Sequence, residues 1–312
     1  MAILQYEGVR RRIPITGRQN CNEKKCTVVN CPFRHFPEVK NTKCILMADL
    51  KRAKEVLDPP PKFIKADSEE HFLNFAFPGE TATPGSINGR QFQFPGVNSL
   101  TQGEQIGKQD CNRHKCGHNK LCYCHYELKV PYGKTIQMVW SNVGNGAGWG
   151  HPIHMHGHSF YVLKMSYPPQ NKFSGKLANI SNIDNSLYNK DIDCGGGKNF
   201  CNNPKWRNNS WANGKIPGLN LVNPPRKDTL IIPTGAYAVI RIRSNNPGKW
   251  FLHCHIEVHA LNGMAMIVNE GASKQLKAPP GFPICQNFYN DPATDTGYVK
   301  EKGIFPFQQT VR

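Results

Sequence analysis

The sequence has few acidic residues, no long hydrophobic run and no internal repeat. A helix that crosses a bilayer needs roughly 20 consecutive apolar residues, so no helical membrane span is predicted. The lack of a repeat or heptad pattern excludes solenoids and coiled coils. The 22 acidic residues stand against 39 basic ones, and the formal net charge of +17 raises the question of a nucleic-acid partner.

The basic residues do not form a nucleic-acid-binding pattern. They are scattered in short groups such as Arg10–Arg12, and no basic helical stripe or RNA-binding signature accompanies them. We therefore predict no nucleic-acid partner.

The start of the chain lacks a secretory signal. "MAILQYEGVRRR" has no basic segment followed by a long apolar stretch and a cleavage site, and "AILQYEG" is typical of a strand inside a domain. Twelve cysteines and two N-x-S sequons, at Asn179 and Asn208, are nevertheless typical of secreted glycoproteins with disulfides. We expect a secreted protein whose signal peptide is missing through truncation.

Glycine and proline, with 28 and 24 residues, favour turn-rich β structure over helices. A long polar loop, 166–227, separates two groups of strand-like stretches, and the proline run "DPPPK", 58–62, is typical of a stiff linker. The strand-like stretches are "HFLNFAF", "INGRQFQF", "YELKV", "TIQMVWSNV", "SFYVLKMSY", "TLIIPT", "AYAVIRIRS" and "GMAMIV". The pattern predicts an all-β protein with a Greek-key sandwich or barrel.

A cysteine-rich loop, 111–127, contains potential zinc ligands. Its spacing matches no common zinc pattern, and in a secreted chain disulfides are the better interpretation. The residues concerned are Cys111, Cys116, Cys122 and Cys124, with His114, His118 and His125.

Two histidine clusters lie about a hundred residues apart: "HPIHMHGHSF", 151–160, and "WFLHCHIEVHALNGMAM", 250–266. Side chains alternate between the two faces of a strand. A strand through Cys254 therefore places His253 and His255 on one face and the cysteine on the other.

Side chains alternate in the same way in the upstream cluster: His154, His156 and His158 share one face of the strand, and His151 lies on the opposite face. This prediction requires that Pro152 does not break the strand. Side by side, the two strands bring His151 near Cys254, and His154 and His156 near the downstream histidine pair.

One site then contains His151, Cys254, His259 and Met264. Two imidazoles, a thiolate and a weak axial thioether are the ligands of a blue-copper centre, whereas zinc has no use for the methionine. The alternative is a core cysteine with core histidines, and seven histidines of compatible parity argue against it. For Met264 alone, within "GMAMIV", a role in the apolar core is the alternative.

"HPIHMHGH" and "HCHIEVHALNGM" resemble the two C-terminal copper signatures of the multicopper oxidases. The sequence is most similar to laccases of the invertebrate type. "AILQYEG", "SINGRQFQFPG", "GLNLVNPPRKDTL" and "GKWFLHCHIE" are similar to laccase sequence in the same order. The resemblance implies cupredoxin-like (plastocyanin-like) domains and copper as the cofactor. It also makes His151, Cys254 and His259 type 1 copper ligands, with Met264 in the axial position.

The other motif histidines correspond to the trinuclear cluster of this family. The resemblance makes His154 a type 2 ligand and His156, His253 and His255 type 3 ligands. The resemblance does not make His158 a copper ligand, and we assign that residue a structural role.

The resemblance also implies the reaction. A small phenolic or aromatic amine reductant gives single electrons to type 1 copper through His259. Cys254 passes them to the trinuclear cluster, where dioxygen is reduced to water. The residues do not identify the reductant, and ferrous iron stays open, although the basic charge balance argues against it. Asp228 and Glu257 lie near the copper strands, where a structural role is preferred over proton delivery.

Part of the family's ligand set is absent from the sequence. The cluster takes eight histidines, and the two N-terminal H-x-H motifs that supply half of them do not occur here. Setting Cys254 aside leaves an odd number of cysteines, and Cys285 resembles one that bridges to a first domain. We therefore expect a fragment: 1–57 from a second cupredoxin domain, the linker, a complete C-terminal domain over 63–290, and a tail over 291–312.

Two functions compete for such a chain. It is the C-terminal part of a laccase-like oxidase, which binds type 2 and type 3 copper only together with the N-terminal cupredoxin domains of a longer form. Alternatively, it is an isolated type 1 copper module that transfers electrons without oxidase activity. A third possibility is a fragment that does not fold stably.

Overall fold

The computed structural model describes residues 26–31, 42–52, 58–77, 84–106, 111, 120–144, 150–168, 189–195 and 200–284. Strands dominate these ranges. They are β1 (Cys26–Cys31), β2 (Thr42–Leu46), β3 (Ser68–Ala76), β4 (Ser86–Ile87), β5 (Arg90–Phe92), β6 (Cys122–Cys124), β7 (Glu127–Val130), β8 (Thr135–Ser141), β9 (His151–Met155), β10 (Phe160–Ser166), β11 (Ile192–Asp193), β12 (Lys205–Trp206), β13 (Arg226–Lys227), β14 (Thr229–Ile232), β15 (Tyr237–Arg243), β16 (Gly248–Cys254) and β17 (Ala265–Glu270).

Helices are short. The α-helix of the described ranges, α1 (Glu257–Leu261), has five residues, and no described helix is long and apolar enough to cross a membrane. Single 3₁₀ turns occupy Met47–Asp49, Lys65–Asp67, Gly103–Gln105, Asn209–Trp211 and Ala272–Lys274.

Two large sheets pack face to face. The eight-stranded sheet has the order β13-β10-β15-β8-β3-β4-β5-β6, and the five-stranded sheet has the order β14-β9-β16-β17-β7. The pairs β3/β8, β5/β6 and β7/β17 are parallel. The core between the sheets includes Phe75, Met138 and Trp140 from one sheet and Ile153 and Leu252 from the other. The predicted all-β sandwich is confirmed.

The central strands of the larger sheet are buried on both faces. All seven residues of β8 are buried, as are six of the seven in β15. A second apolar layer covers the outer face, where Ile192, Trp206 and Ile216 pack against Val139 and Tyr237. This double burial explains why "AYAVI", 236–240, is a continuous apolar run and not an alternating one.

The predicted polar loop, 166–227, is therefore only partly a loop. Its described part contains β11, β12 and β13 and the disulfide Cys194–Cys201. Its apolar side chains form the cover over the larger sheet. The prediction missed this because the few large apolar residues are separated by many polar ones.

The strand predictions hold for most of the sandwich, including the strand through Pro152, which faces Ile231 of β14. One prediction was wrong in detail. "INGRQFQF" is a hairpin, since Asn88 and Gly89 have φ of 52° and 71° and form the turn between β4 and β5. An Asn-Gly pair is the preferred two-residue hairpin turn, so the signal was present in the sequence.

The proline run, 58–62, is held against the sandwich. Arg241 donates through Nη1 to the carbonyl oxygen of Pro61 at 2.9 Å. Arg226 forms an ion pair with Asp58, at 2.7 Å between Nη1 and Oδ2, and the hydroxyl of Tyr161 donates to the Asp58 carbonyl at 3.2 Å. The proline run therefore packs against the sandwich, and its role as a stiff linker between domains stays a prediction.

The N-terminal strands β1 and β2 form a separate parallel two-stranded sheet. The assignment of 1–57 to a second domain stays a prediction. "AILQYEG", Asn179, Cys285 and the tail lie outside the described residues.

The cysteine-rich loop contains disulfides. Cys111 is bonded to Cys124, and Cys122 is also disulfide-bonded. The preference for disulfides over zinc is confirmed for these three cysteines, whereas Cys116, His114 and His118 lie outside the described residues.

Neighbouring isoleucines on β14 provide a test of the sandwich core. Ile232 is fully buried and Ile231 is 39% exposed. We expect Ile232→Ala to lower the free energy of unfolding by about 2–5 kcal/mol, because it leaves a cavity in the core. Ile231→Ala is the matched control, with an expected loss of about 1 kcal/mol or less. Urea denaturation of the metal-free proteins measures both, and equal losses would contradict the assigned strand faces.

Candidate metal centre

Both histidine clusters lie on adjacent antiparallel strands of the smaller sheet. In the β9–β16 pair, His253 faces His154 and Cys254 faces Ile153. Two further backbone hydrogen bonds continue the pairing beyond the strands, from the amide of His156 to the Phe251 carbonyl and from the amide of His255 to the Pro152 carbonyl. The register therefore determines which side chains meet on each face.

On the inner face, three potential ligands converge. The Cys254 sulfur lies 3.8 Å from Nδ1 of His151 and 3.5 Å from Nδ1 of His259. All three residues are buried, and their ligand atoms lie within 4.8 Å of one another. Cys254 is a free cysteine. The cluster contains three of the four predicted type 1 ligands, all except Met264.

A tight loop brings His259 and Met264 back to the cysteine. The amide of Met264 donates to the His259 carbonyl, and the amide of Cys254 donates to the Met264 carbonyl, both at 3.0 Å. Gly263 turns the chain with φ 105°. Met264 is fully buried in the core that also contains Cys254. Its backbone position agrees with the predicted axial role, which stays a prediction.

Two residues that the sequence did not single out shape this site. Phe77 packs against both imidazoles, with its ring centroid 5.2 Å from that of His151 and 4.6 Å from that of His259. At Gly85, a Cβ atom would lie 2.9 Å from the His259 carbonyl oxygen and 3.0 Å from Cβ of Met264. Neither Phe77 nor Gly85 belongs to a recognisable sequence motif, because their roles arise from tertiary packing.

Burial keeps this site uncharged in the metal-free protein. Desolvation lowers the pKa of His151 to about 3 and raises the pKa of the Cys254 thiol to about 11. Desolvation also lowers the pKa of His259. At neutral pH both imidazoles are neutral and able to bind a metal, whereas the thiol must lose a proton when a metal binds.

On the other face, four imidazole rings come together. Nε2 of His156 lies 3.3 Å from Nε2 of His253. The ring centroid of His154 lies 4.8 Å from that of His156 and 5.7 Å from that of His255. His156 and His255 are exposed, and the other two are half-buried. The structure therefore brings together all four histidines of the predicted trinuclear half-site, on an open face.

Hydrogen bonds orient two of these rings through Nδ1. In His154 this atom lies 2.9 Å from both the carbonyl oxygen of Asp228 and the hydroxyl of Thr229. In His253 it lies 3.0 Å from the Cys254 carbonyl oxygen. Such partners leave Nε2 available as a ligand atom and fix the ring. Phe251 stacks on the His253 ring at 4.4 Å between centroids.

Burial and the neighbouring histidines lower the pKa of two rings of this cluster, His253 and His156. The pKa of His253 falls to about 4, mainly through desolvation. Desolvation and the charges of His154 and His255 also lower the pKa of His156.

His158 lies apart from the cluster. Its Nε2 is 2.5 Å from a carboxylate oxygen of the fully buried Glu270. The preceding Gly157 lies against Trp250, where a Cβ atom would approach the indole to 2.3 Å. These contacts hold the turn after His156, in agreement with the structural role expected for His158.

The two carboxylates singled out from the sequence are exposed. Asp228 lines a cleft of about 410 Å³ beside His154 and His156, and its contact with His154 is through the backbone carbonyl. Glu257 lies in the first turn of α1. Neither residue belongs to the inner cluster.

The inner residues fit a copper ion. One thiolate and two neutral imidazoles form a soft donor set. One ion with bonds of about 2.0–2.3 Å can reach three atoms so close together. His151, Cys254 and His259 would hold it, and copper there supplies reversible one-electron chemistry.

Comparison with known proteins leads to the same family. The sequence model of the multicopper oxidases matches residues 91–274. Laccase-10 of Arabidopsis thaliana is 33% identical over 162 residues, which are 50% of this chain and 22% of that protein. Putative laccase-17 of Oryza sativa subsp. japonica is 31% identical over 162 residues, with the same shares. The chain thus spans about a fifth of the length of these relatives.

Solved structures of the same kind are similar at low identity. A laccase from Botrytis aclada is 22% identical, with a TM-score of 0.41 over 68% of this chain and 30% of that one. Fet3p, a multicopper oxidase that functions in iron import, is 21% identical, with a TM-score of 0.39 over 73% of this chain and 35% of that one.

Because the family match covers more than half of the sequence, the chain belongs to the multicopper oxidases. These are copper-dependent oxidoreductases. Its sandwich is accordingly a cupredoxin-like domain, and copper is its cofactor.

The pKa of His151 predicts how the metal-free protein responds to acid. The unfolded imidazole takes up a proton near pH 6.5, whereas the folded one stays neutral to about pH 3. The unfolded state then binds more protons, so stability falls with falling pH by up to about 1.4 kcal/mol per unit in this window.

We expect His151→Gln to flatten this part of the stability profile, and His71→Gln, which changes a half-buried histidine outside both clusters, to preserve it. Urea denaturation between pH 7 and pH 3 measures the profiles. Parallel profiles for the wild type and His151→Gln would refute the assignment.

Proposed function

We propose that the chain is the C-terminal part of a laccase-like multicopper oxidase. The complete enzyme oxidises phenolic-type substrates by single electrons and reduces dioxygen to water. The chain contributes the type 1 copper site and half of the trinuclear site. The N-terminal cupredoxin domains of a longer form contribute the remaining ligands.

One observation carries this proposal. Cys254 directs its sulfur towards His151 and His259, while its two sequence neighbours direct their imidazoles to the opposite face. Two clusters are thus joined by a single tripeptide. A structural cysteine or a zinc site would need no such connection.

Each residue of the inner cluster has a distinct task in this proposal. Cys254 provides the thiolate and the covalent path to His253 and His255. His259 is the ligand for electron uptake, because it is 8% exposed whereas His151 is fully buried. Met264 provides the weak axial contact.

The outer cluster would bind copper together with the histidines that the N-terminal domains supply. In this proposal His154 binds type 2 copper, while His156, His253 and His255 bind type 3 copper. Their open face and the adjoining cleft beside Asp228 offer a surface on which an N-terminal domain could close the site.

The reductant is proposed only as a class. A small phenol or aromatic amine fits the family and the apolar side chains exposed on α1, where Val258 is 59% and Leu261 43% exposed. Oxidation of ferrous iron is less well supported, since α1 carries one carboxylate, Glu257. Disulfides such as Cys194–Cys201 support an extracellular protein.

A second function is favoured by one feature of the sequence. The H-x-H pairs occur only within 154–158 and 253–255, so this chain alone has four of the eight cluster histidines of the family. By itself it would act as a type 1 copper protein that transfers electrons without reducing dioxygen.

Copper loading tests the inner site. We expect the copper(II) protein to be intensely blue from thiolate-to-copper charge transfer, and Cys254→Ser to abolish the colour. His255→Gln is the matched control: it changes the adjacent residue on the opposite face and should keep the band. Visible absorption and electron paramagnetic resonance measure both. A colourless wild type with bound copper would exclude the type 1 assignment.

Oxygen uptake separates the two functions. We expect the copper-loaded chain to accept about one electron from hydroquinone, because it completes one redox site, and then to stop. An oxygen electrode and the bleaching of the blue band record this outcome. Sustained oxygen uptake by the pure monomer would refute the argument from the missing histidines.

A further inference from the structure

A cavity of about 180 Å³ lies between β3, the β4–β5 hairpin and β7. It is not lined by any of the copper-site histidines. Its lining combines charged, amide and aromatic side chains, among them Glu70, Phe72, Asn88, Arg90, Tyr126 and Asn202.

Arg90 is the unusual member of this lining, because it is only 6% exposed. Its Nη1 donates to the carbonyl oxygen of Asn88 at 2.8 Å, and its guanidinium lies 4.9 Å from the ring centroid of Tyr126. Its Nε is buried and has no acceptor. Within the described ranges, no carboxylate forms an ion pair with Arg90.

A buried cation of this kind is costly unless an anion accompanies it. One carbonyl and one aromatic ring offset only part of the cost of removing the guanidinium from water. The planar donor fork of arginine matches a carboxylate, which it binds through two parallel hydrogen bonds. The geometry thus favours an anionic group in the cavity next to Arg90.

The carboxylate of Glu70 restricts which anions can bind in the cavity. Its two carboxylate oxygens accept hydrogen bonds from Gln137 at 2.7 Å and from Trp206 at 3.1 Å, and each oxygen can accept a further one. A second negative charge in the same cavity would be repelled, whereas a hydroxyl could donate to Glu70. Phe72 and Tyr126 supply apolar wall.

We propose that this cavity binds a small hydroxylated monocarboxylate, with its carboxylate on Arg90 and its hydroxyl donating to Glu70. An engineered apolar cavity of about 150 Å³ holds benzene, so the volume suits a molecule of that size. Lactate has the required charge, hydroxyl and approximate size.

The site does not depend on the copper function, and binding is measured on the complete metal-free chain. Isothermal titration calorimetry with lactate is compared with lactamide, which has nearly the same shape but no charge. We expect saturable binding of lactate to one site. Lactamide should bind at least about tenfold more weakly, because it cannot form the charge-assisted pair with Arg90.

Variants test the residues. We expect Arg90→Gln to weaken lactate binding at least about tenfold. Arg243→Gln, the matched control, removes an exposed arginine on β15 that pairs with Asp67 and should leave binding unchanged. Asn203→Trp narrows the cavity from an exposed position and should also weaken binding, which provides a second test if Arg90→Gln does not fold.

Three results would overturn the proposal: no saturable binding of lactate, equal affinity for lactate and lactamide, or unchanged lactate affinity in a folded Arg90→Gln or Asn203→Trp protein. Tighter binding of the dianion malate than of lactate would overturn the assignment of Glu70.

Discussion

The alternation of side chains through His253, Cys254 and His255 is the constraint on which the site depends. Because β16 pairs with β9 in a fixed register, the sulfur meets His151 on the inner face, and the flanking imidazoles meet His154 and His156 on the other. A shift of one residue would exchange the two faces. The register is set by burial, since Ile153, Leu252 and Cys254 all lie in the core between the sheets.

The inner cluster also depends on the tight turn between α1 and β17, which brings the chain back to Cys254. Helix α1 begins shortly after β16 and places His259 beside the sulfur, and the turn at Gly263 then returns the chain to Met264. Gly85 leaves room for this loop, and Phe77 fills the space beside both imidazoles. The smaller sheet and α1 provide the ligands, while the segments after β3 and before β4 enclose them. The sandwich is therefore part of the site, because it excludes water and keeps the imidazoles neutral.

Much of this arrangement was predictable from the sequence, since it rests on local periodicity. Parity alone separates Cys254 from its neighbours, and the strand-like stretches gave β8, β15 and β17. The contacts of Phe77, the cover formed by Trp206 and Ile216, and the packing of the proline run depend on residues far apart in sequence. Such contacts have no local signal. The β4–β5 hairpin was missed although the pair Asn88-Gly89 is a local signal for a hairpin turn.

Burial distinguishes the inner cluster from the four outer histidines. The inner cluster is enclosed by a single sandwich, whereas two of the four outer histidines are exposed. Strand β5 links the inner loop to the Arg90 cavity. Gln91 donates to the Asn262 carbonyl at 3.1 Å, and the amide of Phe92 donates to the Gly263 carbonyl at 2.9 Å. Adjacent residues of this short strand thus line the Arg90 cavity and hold the turn that precedes Met264.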